Sequence, residues 1–333
     1  MHYLQFTHPQ FSDIMHIKGL LVTAFIAFAL TLNAQKPEDL GSTKPFMVGL
    51  KGTIYPFHMP KDRKNDRFGY HDSIENMKPI GYVYTQSLNI SERELTRPFP
   101  GVPRGVTVFS IIYKGRFEVK ETTNYEFVLK SDDGSRLWID TTCVVNHDGL
   151  RQFHMVGKGK IALKKGFHDL KVWYFQGYPP RMGLLLLMKK QADSTWLPFD
   201  LKPMEDDIKQ IVRVDSGIAK AQLNERFLFD VAKSDVKPEA ETQLTNIAKL
   251  LNIYPNATLK IEGHTDNKGA ANANQLLSEN RANAVVNALK TIGIPETIAV
   301  ETKGFGATQP LAPNNSEENR AKNRRVEIRI STE

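Results

Sequence analysis

Apolar and polar residues alternate with a period of two in many short segments between residues 46 and 199, for example in 125–129 and 169–174. This alternation is typical of strands that bury one face. Turn-forming residues such as Asp133-Gly134 separate the segments, and no long amphipathic helical pattern interrupts them. We therefore predict an all-β sandwich here. The continuous apolar run 183–188 predicts a strand buried on both faces.

The pattern changes beyond residue 213, where strand-like and helix-like segments alternate. Residues 227–229, 259–261, 298–302 and 326–330 are predicted as strands. One helix is predicted to begin at Pro238 and to stop before residue 256, and a second occupies 272–292. A β-α-β-α-β order predicts an α/β sandwich, with helices packed on a sheet. The fold class is thus two domains, one all-β and one α/β.

One charged residue lies on the apolar face of the second predicted helix. Leu277 and Ala288 recur at helical spacing there, and at about 100° per residue Arg281 falls within their stripe. An unpaired buried charge costs several kcal/mol, so Arg281 should be paired or reach a pocket. Asp266, on the loop that leads into the helix, is the expected partner.

These two residues belong to a larger set of motifs, comprising Gly263-His264-Thr265-Asp266, Gly269, Asn274, Leu277-Ser278, Arg281-Ala282 and Asn323-Arg324-Arg325-Val326-Glu327. With this set, residues 221–330 resemble the OmpA-like C-terminal domain, the peptidoglycan-binding module of Gram-negative envelope proteins. The resemblance implies that Asp266 binds the ammonium group and Arg281 the carboxylate of a diaminopimelate side chain. It also places Asn274 and Arg324 near the same pocket. One departure is Asn319, where the family usually has glycine.

The chemistry of these residue types agrees with that assignment, since a carboxylate attracts an ammonium group and a guanidinium offers a planar fork to a carboxylate. The alternative is an internal salt bridge between Asp266 and Arg281 that only closes the start of the helix. Asn274 and Arg324 could likewise be structural. His264 has no serine and carboxylate at a recognised triad spacing, so we interpret it as a structural histidine with its hydrogen bonds satisfied.

A second resemblance rests on Gly115-x-Phe117, on the run 131–140 with its Ser-Asp-Asp-Gly-Ser start, and on the alternating run 166–174. Together they resemble the protective-antigen-14 domain, a β-sandwich found in toxins, glycosidases and adhesins. Adjacent carboxylates at Asp132 and Asp133 repel each other unless a cation or several donors compensate, and oxygen ligands suit Ca²⁺. By resemblance, a calcium ion here would coordinate sugar hydroxyls, and Asn146 and Asp148 could complete its shell. The alternative is a simple β-turn.

Length, charge and the N-terminus limit the compartment and the partners. The 333 residues suffice for two domains, predicted at 46–200 and 213–333 with a linker at 201–212. A net charge of +7 without a concentrated basic stripe favours an anionic wall polymer or a membrane surface over nucleic acid. The apolar run 19–32 before Ala34 predicts a leader and signal peptide over residues 1–34, with Met15 as an alternative start. An uncleaved membrane anchor is the alternative; otherwise the mature chain has no membrane-spanning segment.

These patterns together predict a non-enzymatic protein of the periplasm, associated with the outer membrane and the cell wall. Its C-terminal domain would bind diaminopimelate-type peptidoglycan, and its β-sandwich would bind a glycan. Two alternatives stay open. One is a component of an envelope assembly whose β-sandwich contacts other envelope proteins, and the other is a protein that targets polysaccharide hydrolysis. We find no pair of carboxylates in a recognisable catalytic context, which disfavours a hydrolase.

Overall fold

The computed structural model describes residues 41–57, 72–94, 101–177, 181–210, 212–215, 218–230 and 232–332. The predicted leader and signal peptide lie outside the described residues. None of the helices within these ranges combines the length and the apolar character that a membrane crossing requires.

Strands dominate the first two hundred residues, as the alternating pattern predicts. In chain order they are β1 (Leu50–Pro56), β2 (Gly81–Thr85), β3 (Asn89–Glu94), β4 (Phe109–Val119), β5 (Thr123–Asp132), β6 (Ser135–Ile139), β7 (Thr142–His147), β8 (Gly157–Leu163), β9 (Gly166–Gln176), β10 (Arg181–Lys190) and β11 (Leu197–Pro198). They form one sheet in the order β2-β1-β4-β9-β6-β7 and another in the order β11-β10-β5-β8, in which β3 also pairs with β10. Among these strands, neighbours run antiparallel.

The core of the sandwich lies between the two sheets. On β9, Leu170, Val172 and Tyr174 are buried in the main core, whereas Trp173 and Phe175 are buried in a smaller cluster on the opposite face. Successive strand residues point to opposite faces, so β9 is covered on both sides. Trp173 and Tyr174 are each 0% exposed and therefore belong to the packing rather than to a sugar-binding surface.

The run 183–188 forms the middle of β10 but is not buried throughout. Leu184 and Leu186 are buried, whereas Leu185 and Leu187 are half-buried. The prediction of a strand is therefore confirmed, while the prediction that both of its faces are buried is wrong. The hydrophobic run reflects a sheet with one fully covered face and a second face that is covered in part.

The C-terminal part alternates strands and helices. Its elements are α1 (Lys202–Lys209), β12 (Arg213–Asp215), β13 (Ile218–Asn224), α2 (Glu225–Leu228), α3 (Glu241–Ile253), β14 (Thr258–His264), α4 (Ala271–Ile292), β15 (Ala299–Gly304), α5 (Glu317–Asn323) and β16 (Arg325–Ser331). The sheet order is β12-β13-β16-β14-β15. Strands β14 and β15 are parallel, and helix α4 packs on both. The predicted α/β architecture is confirmed.

One local prediction differs from the structure. Residues 227–229 are not a strand, because Asn224 caps a short helix by accepting a hydrogen bond from the Arg226 N–H, and α2 then occupies Glu225–Leu228. The charged segment expected as a linker contains helix α1. Its buried Glu205 accepts a hydrogen bond from the Met47 N–H at 3.1 Å and pairs with Lys209 at 3.2 Å.

Helix α4 lies unusually close to the strands beneath it. A Cβ atom at Gly263 would lie 2.1 Å from the Ser278 carbonyl oxygen, and one at Gly304 would lie 2.5 Å from the Glu279 nitrogen. Only a residue without a side chain allows this approach. The two glycines therefore fix the height of α4 above the sheet, and with it the position of Arg281.

Candidate functional site

The four residues predicted at the peptidoglycan site all lie at the end of the C-terminal sheet where β14 leads into α4. Asp266, on the connecting loop, is 7% exposed, Asn274 in the first turn of α4 is 8% exposed, and Arg281 further along is 2% exposed. Arg281 thus faces inward, as its helical position predicts. Arg324 ends helix α5 and reaches the same place from the opposite side.

Asn274 and a turn hold the loop that carries Asp266. The Asn274 Nδ2 donates to the Asp266 and Lys268 carbonyl oxygens, at 3.3 and 3.0 Å. The Lys268 N–H donates to the Asp266 Oδ1 at 2.9 Å. Asn274 therefore positions Asp266 through the backbone, and its side chain amide is already used for that purpose.

Arg281 pairs with a residue that the sequence does not suggest. Its Nη2 donates to the Glu225 Oε1 at 2.5 Å, and its Nε donates to the Lys233 carbonyl oxygen at 3.0 Å. The expected salt bridge to Asp266 is therefore wrong. The reason is tertiary packing, which brings Glu225 and the Lys233 carbonyl oxygen to the Arg281 guanidinium.

Arg324 is the true partner of Asp266 and joins the acidic side chains into one network. Its Nη1 donates to the Asp266 Oδ2 at 2.6 Å, and its Nη2 donates to the Glu317 Oε1 at 2.7 Å. Its Nε lies 3.3 Å from the Glu225 Oε2, within ion-pair distance. Arg281, Glu225, Arg324 and Asp266 thus form a chain of alternating charges; we call these four residues, with Glu317, the charge chain.

Arg324 and Glu317 stabilise each other's ionised forms. Hydrogen bonds from Arg324 and then from Arg320 lower the pKa of Glu317 to about 2. Burial alone would lower the pKa of Arg324, but its hydrogen bonds to Asp266 and Glu317 raise it on balance. Glu317 and Arg324 therefore stay charged at neutral pH, and they place both signs of charge in a small volume.

Glu225 and Glu317 are the members of the charge chain that sequence reasoning missed. Both stand at the start of short helices, α2 and α5, whose caps are Asn224 and Ser316. An Asn or Ser followed directly by Glu is a recognised signal for a helix start, and it could have located both glutamates. Assigning residues 227–229 to a strand concealed the first of these signals.

His264 does not have the satisfied hydrogen bonds that we expected. It is 2% exposed, and neither ring nitrogen finds a hydrogen-bond partner among the described residues. Its ring stacks on Phe305 with centroids 5.3 Å apart. Burial, and then the charge of Arg325, lower its pKa to about 4. His264 is thus a neutral ring that packs against Phe305.

His264 also lies near two carboxylates, on the face of the sheet opposite the helices. Its ligand atom and those of Glu262 and Glu327 lie within 4.8 Å of one another. However, Arg325 binds Glu327 at 2.7 Å, and Arg329 lies 3.1 Å from both Glu262 and Glu327. The arginines already neutralise both carboxylates, so the donor set does not call for a cation.

The pair predicted to bind calcium lies where β5 ends in the sandwich. The Asp132–Asp133 peptide bond is cis. Asp133 is 4% exposed, and its Oδ2 accepts a hydrogen bond from the Gly177 N–H at 2.7 Å. Burial, and then the charge of Asp133, raise the pKa of Asp132 to about 7. The ionised form of this pair is therefore costly without a compensating cation.

The other two residues considered for the calcium shell have separate roles. Asp148 is buried and binds Arg136 at 2.5 Å, while the Asn146 Oδ1 accepts a hydrogen bond from the Asp148 N–H. Among the described residues, Asp132 and Asp133 do not form a compact cluster with a third carboxylate, imidazole or thiolate. Backbone carbonyls and water would have to supply the remaining oxygens that calcium requires.

Comparison with known proteins agrees with this architecture. Residues 101–193 match the PA14 domain, and residues 228–324 match the OmpA family. The chain is 44% identical over 101 residues to outer membrane protein Omp38 of Acinetobacter baumannii, which covers 30% of this chain and 28% of that protein. It is 40% identical over 116 residues to outer membrane porin F of Pseudomonas aeruginosa, which covers 35% of this chain and 33% of the porin.

The chain thus spans about a third, or less, of the length of these two relatives. The solved structure of the cell wall anchor of the T6SS from Pseudomonas aeruginosa is 33% identical, with 40% of this chain and 96% of that chain covered and a TM-score of 0.34. The matched segments occur in the order that the two sets of motifs predict. The chain therefore carries a PA14 domain followed by an OmpA-family domain.

Proposed function

We propose that the OmpA-family domain binds peptidoglycan through the diaminopimelate side chain. The observation that supports this most is the charge chain, in which Asp266 and Arg281 are the two terminal members of one network of ion pairs. The free end of a diaminopimelate side chain carries an ammonium group and a carboxylate on one carbon. The ammonium group of such a ligand can replace an internal partner of a carboxylate, and its carboxylate can replace an internal partner of a guanidinium.

Each end of the proposed ligand has a suitable partner. Asp266 offers a carboxylate to the ammonium group, and its position is fixed by Asn274 and by the turn at Lys268. Arg281 and Arg324 offer guanidinium groups to the carboxylate, in a region where little water competes for the charges. Charge-assisted hydrogen bonds are stronger in such partly buried sites than at an exposed surface.

Co-sedimentation of the full chain with purified diaminopimelate-type sacculi tests the proposal. Asp266→Asn and Arg281→Met each remove one charge-assisted bond to the ligand, which typically costs about 2 to 5 kcal/mol and so lowers affinity about thirty-fold or more. Glu301→Gln, an exposed carboxylate on β15, is the matched control and should sediment normally. Normal sedimentation of both site variants would assign Asp266 and Arg281 to structure alone.

We propose in addition that the PA14 domain binds carbohydrate with the help of calcium at Asp132 and Asp133. The raised pKa of Asp132 supports this, because a cation would stabilise the ionised form that burial and the charge of Asp133 disfavour. A bound Ca²⁺ would offset the charge and could offer open positions to sugar hydroxyls. Glycan-array binding of the chain, with calcium and then with EDTA, tests this; calcium-independent binding or no binding would contradict it.

The location that fits these activities is the cell envelope, in association with the outer membrane and the wall. The similarity to outer membrane proteins supports this placement. We propose that the protein is non-enzymatic, and that its two domains hold a wall polymer and a second ligand at the same time.

A further inference from the structure

Glu225 holds the guanidinium group that the proposed ligand needs. Its Oε1 accepts a hydrogen bond from the Arg281 Nη2 at 2.5 Å, and its Oε2 lies 3.3 Å from the Arg324 Nε. Its side chain is 10% exposed, against 3% for that of Arg281. The carboxylate of Glu225 therefore lies between the two arginines of the charge chain.

Two further groups contact the Arg281 guanidinium. The Lys233 carbonyl oxygen accepts a hydrogen bond from the Arg281 Nε at 3.0 Å. Glu225 and Lys233 thus together occupy the edge of the guanidinium that carries Nε and Nη2. The Phe229 ring covers a face, with its centroid 5.2 Å from the Arg281 Cζ. A bidentate contact from an incoming carboxylate requires an open edge of the fork. Of these three groups, Glu225 alone is a charged side chain rather than a backbone atom or a ring, and it can change its position by rotating about its side-chain bonds.

We propose that Glu225 is an internal competitor that occupies the place of the ligand's carboxylate and closes the site when no ligand is bound. This inference rests on the proposed peptidoglycan binding. Ligand entry exchanges one carboxylate for another at Arg281. Glu225 can turn toward Arg324, which already lies within ion-pair distance, so the displaced carboxylate keeps a partner.

The competition gives Glu225 a measurable effect on affinity. When a site is open for only a fraction of the time, the apparent dissociation constant rises by the inverse of that fraction. If the closed arrangement is favoured about ten to one, removing the charge of Glu225 tightens binding about ten-fold. A purely structural glutamate would have the opposite effect, because its loss would disorder Arg281 and weaken binding.

The test uses the full chain and a synthetic stem peptide that contains meso-diaminopimelate, with affinity measured by isothermal titration calorimetry. Glu225→Gln should bind about ten-fold more tightly than wild type, while its melting temperature without ligand falls because Arg281 loses an ion pair. Glu317→Gln is the matched control. It also removes a carboxylate from Arg324 but leaves the pair between Glu225 and Arg281 intact, so its binding should not tighten.

The outcomes separate the two proposals. If wild type binds the peptide and Glu225→Gln binds equally or more weakly, the competition is overturned and the proposed function stands. If neither protein binds the peptide, both proposals are overturned. If only Glu225→Gln binds, the site exists and Glu225 closes it. Should the glutamine variant not fold, Glu225→Asp replaces it in the same test and should also bind more tightly. Its side chain keeps the negative charge but is one methylene shorter, so its carboxylate lies further from Arg281.

Discussion

His264, whose ring nitrogens find no hydrogen-bond partner in the part of the chain that the structure describes, makes the stability of the OmpA-family domain depend on pH. Burial and the charge of Arg325 lower the pKa of His264 from 6.5 to about 4. Between pH 6.5 and pH 4, His264 therefore binds a proton in the unfolded chain but stays neutral in the folded chain. Stability is fully present above pH 6.5, falls as the pH drops from 6.5 to 4, and has no further contribution from His264 below pH 4.

The size of this effect follows from the two pKa values. Between pH 8 and pH 5, the difference in proton binding lowers the free energy of unfolding by up to about 2 kcal/mol. His264→Phe keeps the ring on Phe305, removes both unpaired nitrogens and cannot titrate. The variant should therefore lose that part of the pH dependence, whatever its stability at pH 8.

Two optical signals separate the domains in this assay. The three tryptophans, Trp138, Trp173 and Trp196, all belong to the first two hundred residues. In the described part of the chain, helices of eight residues or more all follow residue 201. Urea unfolding monitored by circular dichroism at 222 nm thus reports on the C-terminal domain, and tryptophan fluorescence reports on the sandwich.

His147 supplies the matched control, because it is also buried and its pKa is lowered to about 4 by burial and then by Arg151. Its Nε2 likewise has no hydrogen-bond partner among the residues that the structure describes. His147→Phe should reduce the pH dependence of the fluorescence transition, and His264→Phe that of the dichroism transition. If the two transitions coincide, each variant still shows how much its own histidine contributes to the pH dependence of the free energy of unfolding. An unchanged pH dependence in His264→Phe would refute the argument.

Three further predictions concern calcium, the helix contact and export. Millimolar Ca²⁺ should stabilise the chain by about 2.7 kcal/mol for a Kd of about 10 μM. This stabilisation should be smaller at pH 6 than at pH 8, because the ion must displace the proton of Asp132. The double variant Asp132→Asn with Asp133→Asn should abolish the calcium-dependent shift in melting temperature. Gly263→Ala should cost about 1 to 3 kcal/mol in urea unfolding, because its Cβ meets the Ser278 carbonyl oxygen; an unchanged midpoint would show that α4 can move away freely. N-terminal sequencing of the exported protein should begin at Gln35, and an intact segment 15–34 would instead indicate an anchor.

Local patterns in the sequence predicted both architectures, because the type of each strand and helix is reflected in the spacing of apolar residues close together in the chain. Alternation with a period of two gave the strands on either side of the sandwich core, and helical spacing placed Arg281 on an inward face. The error at residues 227–229 came from the apolar run Phe-Leu-Phe, which a single helical turn capped by Asn224 also accommodates. Short elements of this kind are decided by their caps rather than by periodicity.

The pairings within the charge chain could not be predicted in the same way. Arg281 and Glu225 are 56 positions apart in the chain, and Arg324 and Asp266 are 58 apart. Such pairs depend on how the helices and the sheet pack, which local spacing does not specify. The motif resemblance placed Asp266, Arg281 and Arg324 at one site, but it did not indicate which charge lies beside which.

Recognition of the diaminopimelate side chain is tested most directly by calorimetry with two synthetic stem peptides, one containing meso-diaminopimelate and the other containing lysine at the same position. The lysine peptide lacks only the side chain carboxylate that Arg281 and Arg324 are proposed to bind. Wild type should bind the diaminopimelate peptide at least about thirty-fold more tightly, as expected for one lost charge-assisted contact, and Arg281→Met should remove the difference. Equal binding of the two peptides, or a preference that survives in Arg281→Met, would contradict the assignment.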